Sequence, residues 1–335
     1  MNLPVIAQGS HLLERVAMST NTTGLRRLAI LIPLISALTL ILASCATTSY
    51  GNDAFPKTSK YVFEKFNSGE YLDLFTPGKP DAGITLEAMT QLSALGYDKN
   101  KQQRAISWIE ANTKLFKSLG LKAAYVFTAH SLGFSDHPTV RKAATEVTSM
   151  VADSVNLSAS NNFEHSWLIF ALLAEGQKDL ANQVAMHLST LSEPDGGYKY
   201  LQGDSKSVAA ADITAFALLS MNASLGTGNS TDEAAKEFAM SKAKSWLLAN
   251  QTQGTYWSSF GNVDVSGTSY AVMALKSLNM DVSKPVEWLK SRINETDGGI
   301  SAPWTEPKSD SYSTVQALLA LSELNFIDVL QHEAK

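Results

Sequence analysis

The chain has 335 residues, 44% hydrophobic and 18% charged, with a net charge of −5. That composition excludes intrinsic disorder, and the mildly acidic balance offers nucleic acid no basic face. A single cysteine, Cys45, excludes both a disulfide framework and a cysteine metal cluster.

Residues 1–17 carry no pattern, and Met18 is a candidate start because residues 26–45 have the make-up of an export signal. Arg26 and Arg27 form a positive n-region, residues 28–42 are apolar and uncharged, and small residues come next. Such a stretch is short for a membrane span and suits a signal peptide. Leu42-Ala43-Ser44-Cys45 resembles the bacterial lipobox, whose cysteine is diacylated and becomes the first mature residue. The resemblance implies lipidation at Cys45, the membrane as a partner and a place on the extracytoplasmic face of the cell membrane. Residues 1–44 are therefore read as signal peptide, 45–54 as a tether and 55–330 as one folded domain.

From residue 55 onward, paired segments recur at a spacing typical of helical hairpins. The second member of each pair is expected near residues 85–95, 122–132, 164–174, 212–221, 268–278 and 314–324. The fifth contains Tyr270-Ala-Val-Met-Ala-Leu275, apolar on every side, which marks a helix covered all round. Most of the six open on threonine or an acid, residue types that suit a helix cap. A more amphipathic helix precedes each, as at 103–109, 236–250 and 285–293. On the second of these, Lys236 and Lys244 are expected to face solvent. Asp195-Gly-Gly197, Asp297-Gly-Gly299 and Asp81-Ala-Gly83 read as turns. The pattern implies two shells of helices, buried within and half-exposed outside. The fold class is all-α, an α/α toroid of six helical hairpins around a central cavity, with no strand required. An open solenoid shares the same periodicity.

Trp246-Leu-Leu-Ala-Asn-Gln251 and Asp195-Gly-Gly-Tyr198, each ahead of an alanine- and leucine-rich helix, give the pattern a family likeness. It resembles the prenyltransferase and squalene-cyclase repeat. Asp81-Ala-Gly-Ile-Thr-Leu-Glu-Ala88 is similar to the opening repeat of a secreted actinobacterial branch of that family. Val263-Asp-Val-Ser-Gly-Thr268 is similar to cobalamin carriers of the transcobalamin and intrinsic-factor type. The likeness spans residues 53–326 and implies the toroid. It leaves function open, because enzymes, carriers and thioester domains share the fold.

The catalytic signatures of the family's branches are absent. There is no Asp-x-Asp-Asp acid, no Asp-Asp-x-x-Asp magnesium site and no Cys-Gly-Glu-Gln thioester, and the one cysteine sits in the export signal, leaving none to hold zinc. Asp212, Asp264 and Asp310 stand near inner-helix starts. They suit a carboxylate pair for glycan hydrolysis, but capping explains the same positions without catalysis. Tyr198, Trp257, Tyr270, Trp304 and Tyr312 gather near the same ends and suit a planar or apolar ligand, while loop packing accounts for them equally well. His165, beside Trp167, reads as a hydrogen-bonded structural residue rather than a ligand to a corrinoid cobalt. The aromatics concentrate in the last three hairpins, which are expected to build the mouth. The resulting expectation is a non-catalytic lipoprotein holding an isoprenoid-like or corrinoid-like molecule, with no catalytic or metal residue assigned. A surface scaffold for protein or glycan is the alternative, and an atypical cyclase or glycan-active enzyme comes third. Cys45→Ala is expected to move the protein from the membrane to the soluble fraction and remove the lipid mass, as fractionation and intact-mass spectrometry would record.

Overall fold

The computed structural model describes residues 54–331 apart from 75, 154–156, 158–159 and 260, so the export signal and Cys45 lie outside the described residues. In chain order the helices are α1 (Pro56–Glu64), α2 (Ala82–Ala94), α3 (Gln103–Ala111), α4 (Leu119–Ser131), α5 (Pro138–Val151), α6 (Asn162–Ala174) and α7 (Lys178–Ser189). They continue as α8 (Ala211–Ala223), α9 (Ser230–Ala249), α10 (Val265–Ser277), α11 (Ser283–Ser291), α12 (Ser311–Leu321) and α13 (Phe326–Gln331). No helix among the described residues is long and apolar enough to cross a membrane.

The even-numbered helices form the inner shell. Alanine and leucine give them high helix propensity, and alanine also lets backbones approach closely. Along α10 every residue from Val265 to Leu275 is buried. Each inner helix packs on the next, α2 on α4 and so on to α12, and α12 packs back on α2. The Leu319 N–H of α12 donates to the Gln91 side chain of α2 across that seam, at 3.1 Å. The ring is therefore closed and not an open solenoid. Between the inner helices stand α3, α5, α7, α9 and α11, each burying one stripe, as Ala105, Ile106 and Ile109 do on α3. The first helix, α1, packs on α12 and α2 and covers the seam.

The inner helices begin earlier than their threonines. Asp81, Ser118, Asn161 and Asp310 are the side-chain caps of α2, α4, α6 and α12. The threonines instead sit at the fourth helical residue and clip the preceding loop. Thr85, Thr214, Thr268 and Thr314 each accept the backbone N–H of a residue upstream, respectively Leu72, Tyr198, Trp257 and Ile300, at 2.8–3.1 Å. His165 holds the same position in α6 and does the same work with its ring, its Nε2 meeting the Leu157 carbonyl at 2.8 Å. Burial lowers the His165 pKa to about 4, and its ring contacts His187 at 5.1 Å. It is a structural histidine.

Two details depart from the all-helical expectation. Trp257–Ser259 (β1) pairs antiparallel with Asn262–Asp264 (β2), and Ile300–Ser301 (β3) with Ser309–Asp310 (β4). Each ladder tightens the turn that feeds an inner helix. Lys236 is buried rather than solvated. The loop after α8 folds over it, and its Nζ donates to the Ser224 carbonyl and the Glu233 carboxylate, both at 2.8 Å. Lys244 is half-buried.

The centre of the ring is filled. Phe326, at the start of α13, lies among Phe127, Trp167, Phe170, Phe216 and Tyr270, with ring centroids 5.3–6.3 Å apart. These rings come from α4, α6, α8 and α10 and meet at the axis. Phe326→Ala is expected to cost about 3–5 kcal/mol, because five neighbouring rings cannot collapse onto the void. Urea denaturation followed by circular dichroism measures it, and a change under about 1 kcal/mol would mean the axis is not packed as described.

Candidate functional site

Parallel inner helices place equivalent positions at one height, so the ring is built in layers. The sixth residues are Glu87, Ala124, Trp167, Phe216, Tyr270 and Gln316, all buried. One turn nearer the N-terminal end, the second residues are Gly83, Gly120, Phe163, Asp212, Ser266 and Tyr312. The sixth-residue layer closes the axis and forms a floor. The second-residue layer is wider, because glycine stands at two neighbouring positions, and it opens outward.

Two cavities occupy that opening. The first, about 440 Å³, is bounded by Gly83, Glu87, Gly120, Phe163, Glu164 and Trp167. The second, about 430 Å³, is bounded by Asp212, Asp264, Ser266, Trp304, Tyr312 and Lys206. Tyr200 lines both. The volumes fall in the range of small-molecule sites. Gly120 leaves the space beside the first for the Glu164 side chain, with which a Cβ there would collide.

The floor carries an unusual acid. Glu87 Oε1 accepts from the Tyr270 hydroxyl at 3.0 Å and from Gln91 Nε2 at 2.9 Å. Burial pushes the Glu87 carboxyl up to about 7, against the lowering pull of Tyr270, Gln316 and Gln91, and the Asp212 charge adds to the rise. Asp212 keeps part of its surface open to the second cavity. Burial first, and the Asp264 charge second, raise it to about 6. A carboxyl protonated near neutrality can donate a hydrogen bond or a proton, and a second carboxyl can accept one. Among the described residues no group of three or more His, Cys, Asp or Glu is placed to hold a metal.

The eight residues expected at a site divide unequally. Asp212, Asp264, Trp304 and Tyr312 line the second cavity. Tyr270 lies beneath it as the partner of Glu87. Asp310 caps α12, accepting the Ser313 N–H at 2.8 Å. Tyr198 is fully buried, and Trp257, 1% exposed, donates its ring N–H to the Leu247 carbonyl at 2.8 Å. Neither reaches the mouth. Asp264 occupies the cap position of α10 without capping it and instead accepts from the Ser259 hydroxyl. The first three hairpins build a full half of the mouth, contrary to the aromatic count, and supply Glu87, Glu164 and Phe163. Aligning the inner helices by layer is the signal that finds Glu87, an acid at a level where four of the other five residues are aromatic or apolar.

The family described as prenyltransferase alpha-alpha toroid domain matches residues 84–334. Two solved structures share the fold at 12% identity, with a TM-score of 0.55 over 80% of this chain and 94% of theirs. One is an unsaturated glucuronyl hydrolase from Bacillus sp. GL1, responsible for the degradation of glycosaminoglycan. The other is described as UGL with dGlcA-Glc-Rha-Glc. No curated protein matches this chain.

The folded Glu87 pKa stands above the ordinary 4.5. The stability that comes from keeping it protonated is complete below pH 4.5 and is lost as the pH rises through about 7. Glu87→Gln is expected to remove that loss, leaving the variant about 3 kcal/mol better placed at about pH 8 than at about pH 4.5 relative to wild type. Denaturation curves across that range measure the difference, and a constant gap would mean Glu87 titrates normally.

Proposed function

The chain belongs to the prenyltransferase alpha-alpha toroid family, and from that premise we propose a lipid-anchored envelope protein that binds and cleaves a glycan at the N-terminal mouth of the ring. The observation that carries this reading is the pair Glu87 and Asp212, two carboxyls raised by burial that line the two chambers of an aromatic-walled opening. Glycoside hydrolysis asks for such a pair, one acid to protonate the departing oxygen and one carboxylate on the other side of the sugar. Glu87 holds its proton to about pH 7 and is the donor. Asp212, ionised above about pH 6, takes a proton from the attacking water as the water oxygen bonds to the anomeric carbon. Tyr200, Trp304 and Tyr312 offer flat faces against which sugar rings can lie.

The filled axis argues against an isoprenoid or corrinoid guest, since Phe326 and its neighbours occupy the apolar space such a molecule would need. The fold shared with glycan hydrolases agrees with the reading at the level of architecture alone. Anchoring at Cys45 would set the mouth outside the cytoplasmic membrane, where envelope glycans lie.

Incubation with chitin-type, cellulose-type, uronate-type and peptidoglycan oligosaccharides, with reducing ends measured, tests the proposal. Wild type is expected to release new reducing ends from one series, and Glu87→Gln to lower that rate about 10²–10⁴-fold while binding persists. Binding without turnover would make the protein a glycan receptor, and neither binding nor turnover would remove the mouth as a glycan site.

A further inference from the structure

The mouth is divided. Gly83, Glu87, Gly120, Phe163 and Trp167 bound one chamber, the N-terminal ends of α8, α10 and α12 bound the other, and Tyr200 is the residue common to both. Tyr200 is 49% exposed, yet it is held in place. Its hydroxyl accepts from Asn161 Nδ2 at 3.1 Å, and its carbonyl accepts the Asn162 N–H at 3.1 Å. The same loop is fixed again where Asn162 Nδ2 donates to the Lys199 carbonyl at 2.7 Å. A half-exposed ring tied down by its neighbours is a fixed partition rather than a loose loop tip.

Each chamber has its own means of holding a ring-shaped, hydroxylated unit. The first carries Trp167 and the Glu164 carboxylate, which forms no salt bridge among the described residues. The second carries Trp304, 63% exposed, with the side chains of Ser266 and Tyr312 paired at its wall. Glu87 and Asp212 stand on α2 and α8, opposite members of the six-helix ring, one in each chamber.

From this geometry we infer that the substrate is an oligomer bound across both chambers, with at least one sugar unit on either side of Tyr200 and the bond to be broken between them. The inference rests on the proposed glycan function and sharpens it, because a single sugar would engage one carboxyl and leave the other chamber empty. Trp304 is then an outer platform that lengthens the site, not part of the chemistry.

Quenching of tryptophan fluorescence by the mono-, di- and tetrasaccharide of whichever series binds measures the effect of length. The tetrasaccharide is expected to bind at least about tenfold tighter than the monosaccharide. Gly83→Leu should erase that gain by filling the first chamber. A Cβ at Gly83 meets only ordinary contacts, Asp81 Oδ1 at 3.5 Å and Leu121 Cδ2 at 3.6 Å, so a side chain can start there without a clash. Trp304→Ala, at an exposed position that folding does not need, should erase it from the other side. Equal affinity for all lengths, or a length gain that survives both variants, would overturn the two-chamber assignment while the glycan reading stands. Failure of every sugar in every series to bind would bring down both.

Discussion

The width of the inner ring decides what this protein can do. Helices lined with alanine approach so closely that side chains meet across the axis, and the Tyr270 hydroxyl of α10 reaches Glu87 on the non-adjacent α2 at 3.0 Å. Phe216 at that level, and Phe127, Phe170 and Phe326 below it, then occupy the remaining width. A toroid whose centre is filled by side chains has no room there for a long apolar guest, and the space at the axis lies at the end where the second-residue layer carries glycine instead of an aromatic ring.

The fold was legible because a helix buried on all sides has no polar stripe, and six such runs at regular spacing demand an array of paired helices that cover one another. The roles of single residues were harder to read. Threonine near a helix start suggests a cap, yet Thr85, Thr214, Thr268 and Thr314 lie a turn inside and bond to the preceding loop. Periodicity cannot separate those two roles, since both want a hydroxyl near the N-terminus. Lys236 departs from its pattern for a related reason. Its sequence neighbours predict an exposed face, but its burial depends on the loop at 224–228 curling back, which is a tertiary event. The two short ladders leave no trace in the sequence because strands of two or three residues are too brief for an alternation to register.

The site was half legible. Acids near inner-helix starts point to Asp212 and Asp264, and both do reach the second cavity. The same pattern takes in Asp310, which caps, because a carboxylate at a helix start looks the same in sequence whether it serves the backbone or a ligand. The aromatic count favours Tyr198 and Trp257, but large rings next to tight turns are drawn into the loop core. Glu87 is hidden inside Thr-Leu-Glu-Ala-Met, where one acid in an apolar run carries no signal of its own. Its significance depends on which residues share its height in the ring, and that is a property of the closed structure.

Competing terms set the character of the mouth. Six helix N-termini point at it, and each would stabilise an anion nearby by about 0.3–1 kcal/mol, which on its own would make the carboxyls there ionise readily. Glu87 and Asp212 go the other way, to about 7 and about 6. A rise from 4.5 to about 7 corresponds to roughly 3 kcal/mol, larger than any one helix terminus supplies, so desolvation by the filled axis wins over the dipoles. Four of the termini have in any case given an N–H group to the side chains of Asp81, Ser118, Asn161 and Asp310. Near neutral pH the floor therefore carries a carboxyl that can both donate and accept, with a second, largely ionised, one layer nearer the mouth. A guest rich in hydroxyls can meet both roles at once, whereas a simple anion would face Asp212, Asp264 and Glu164, and a hydrocarbon would satisfy none of them. The packing that closes the axis to apolar ligands is thus also what prepares its upper end for polar ones.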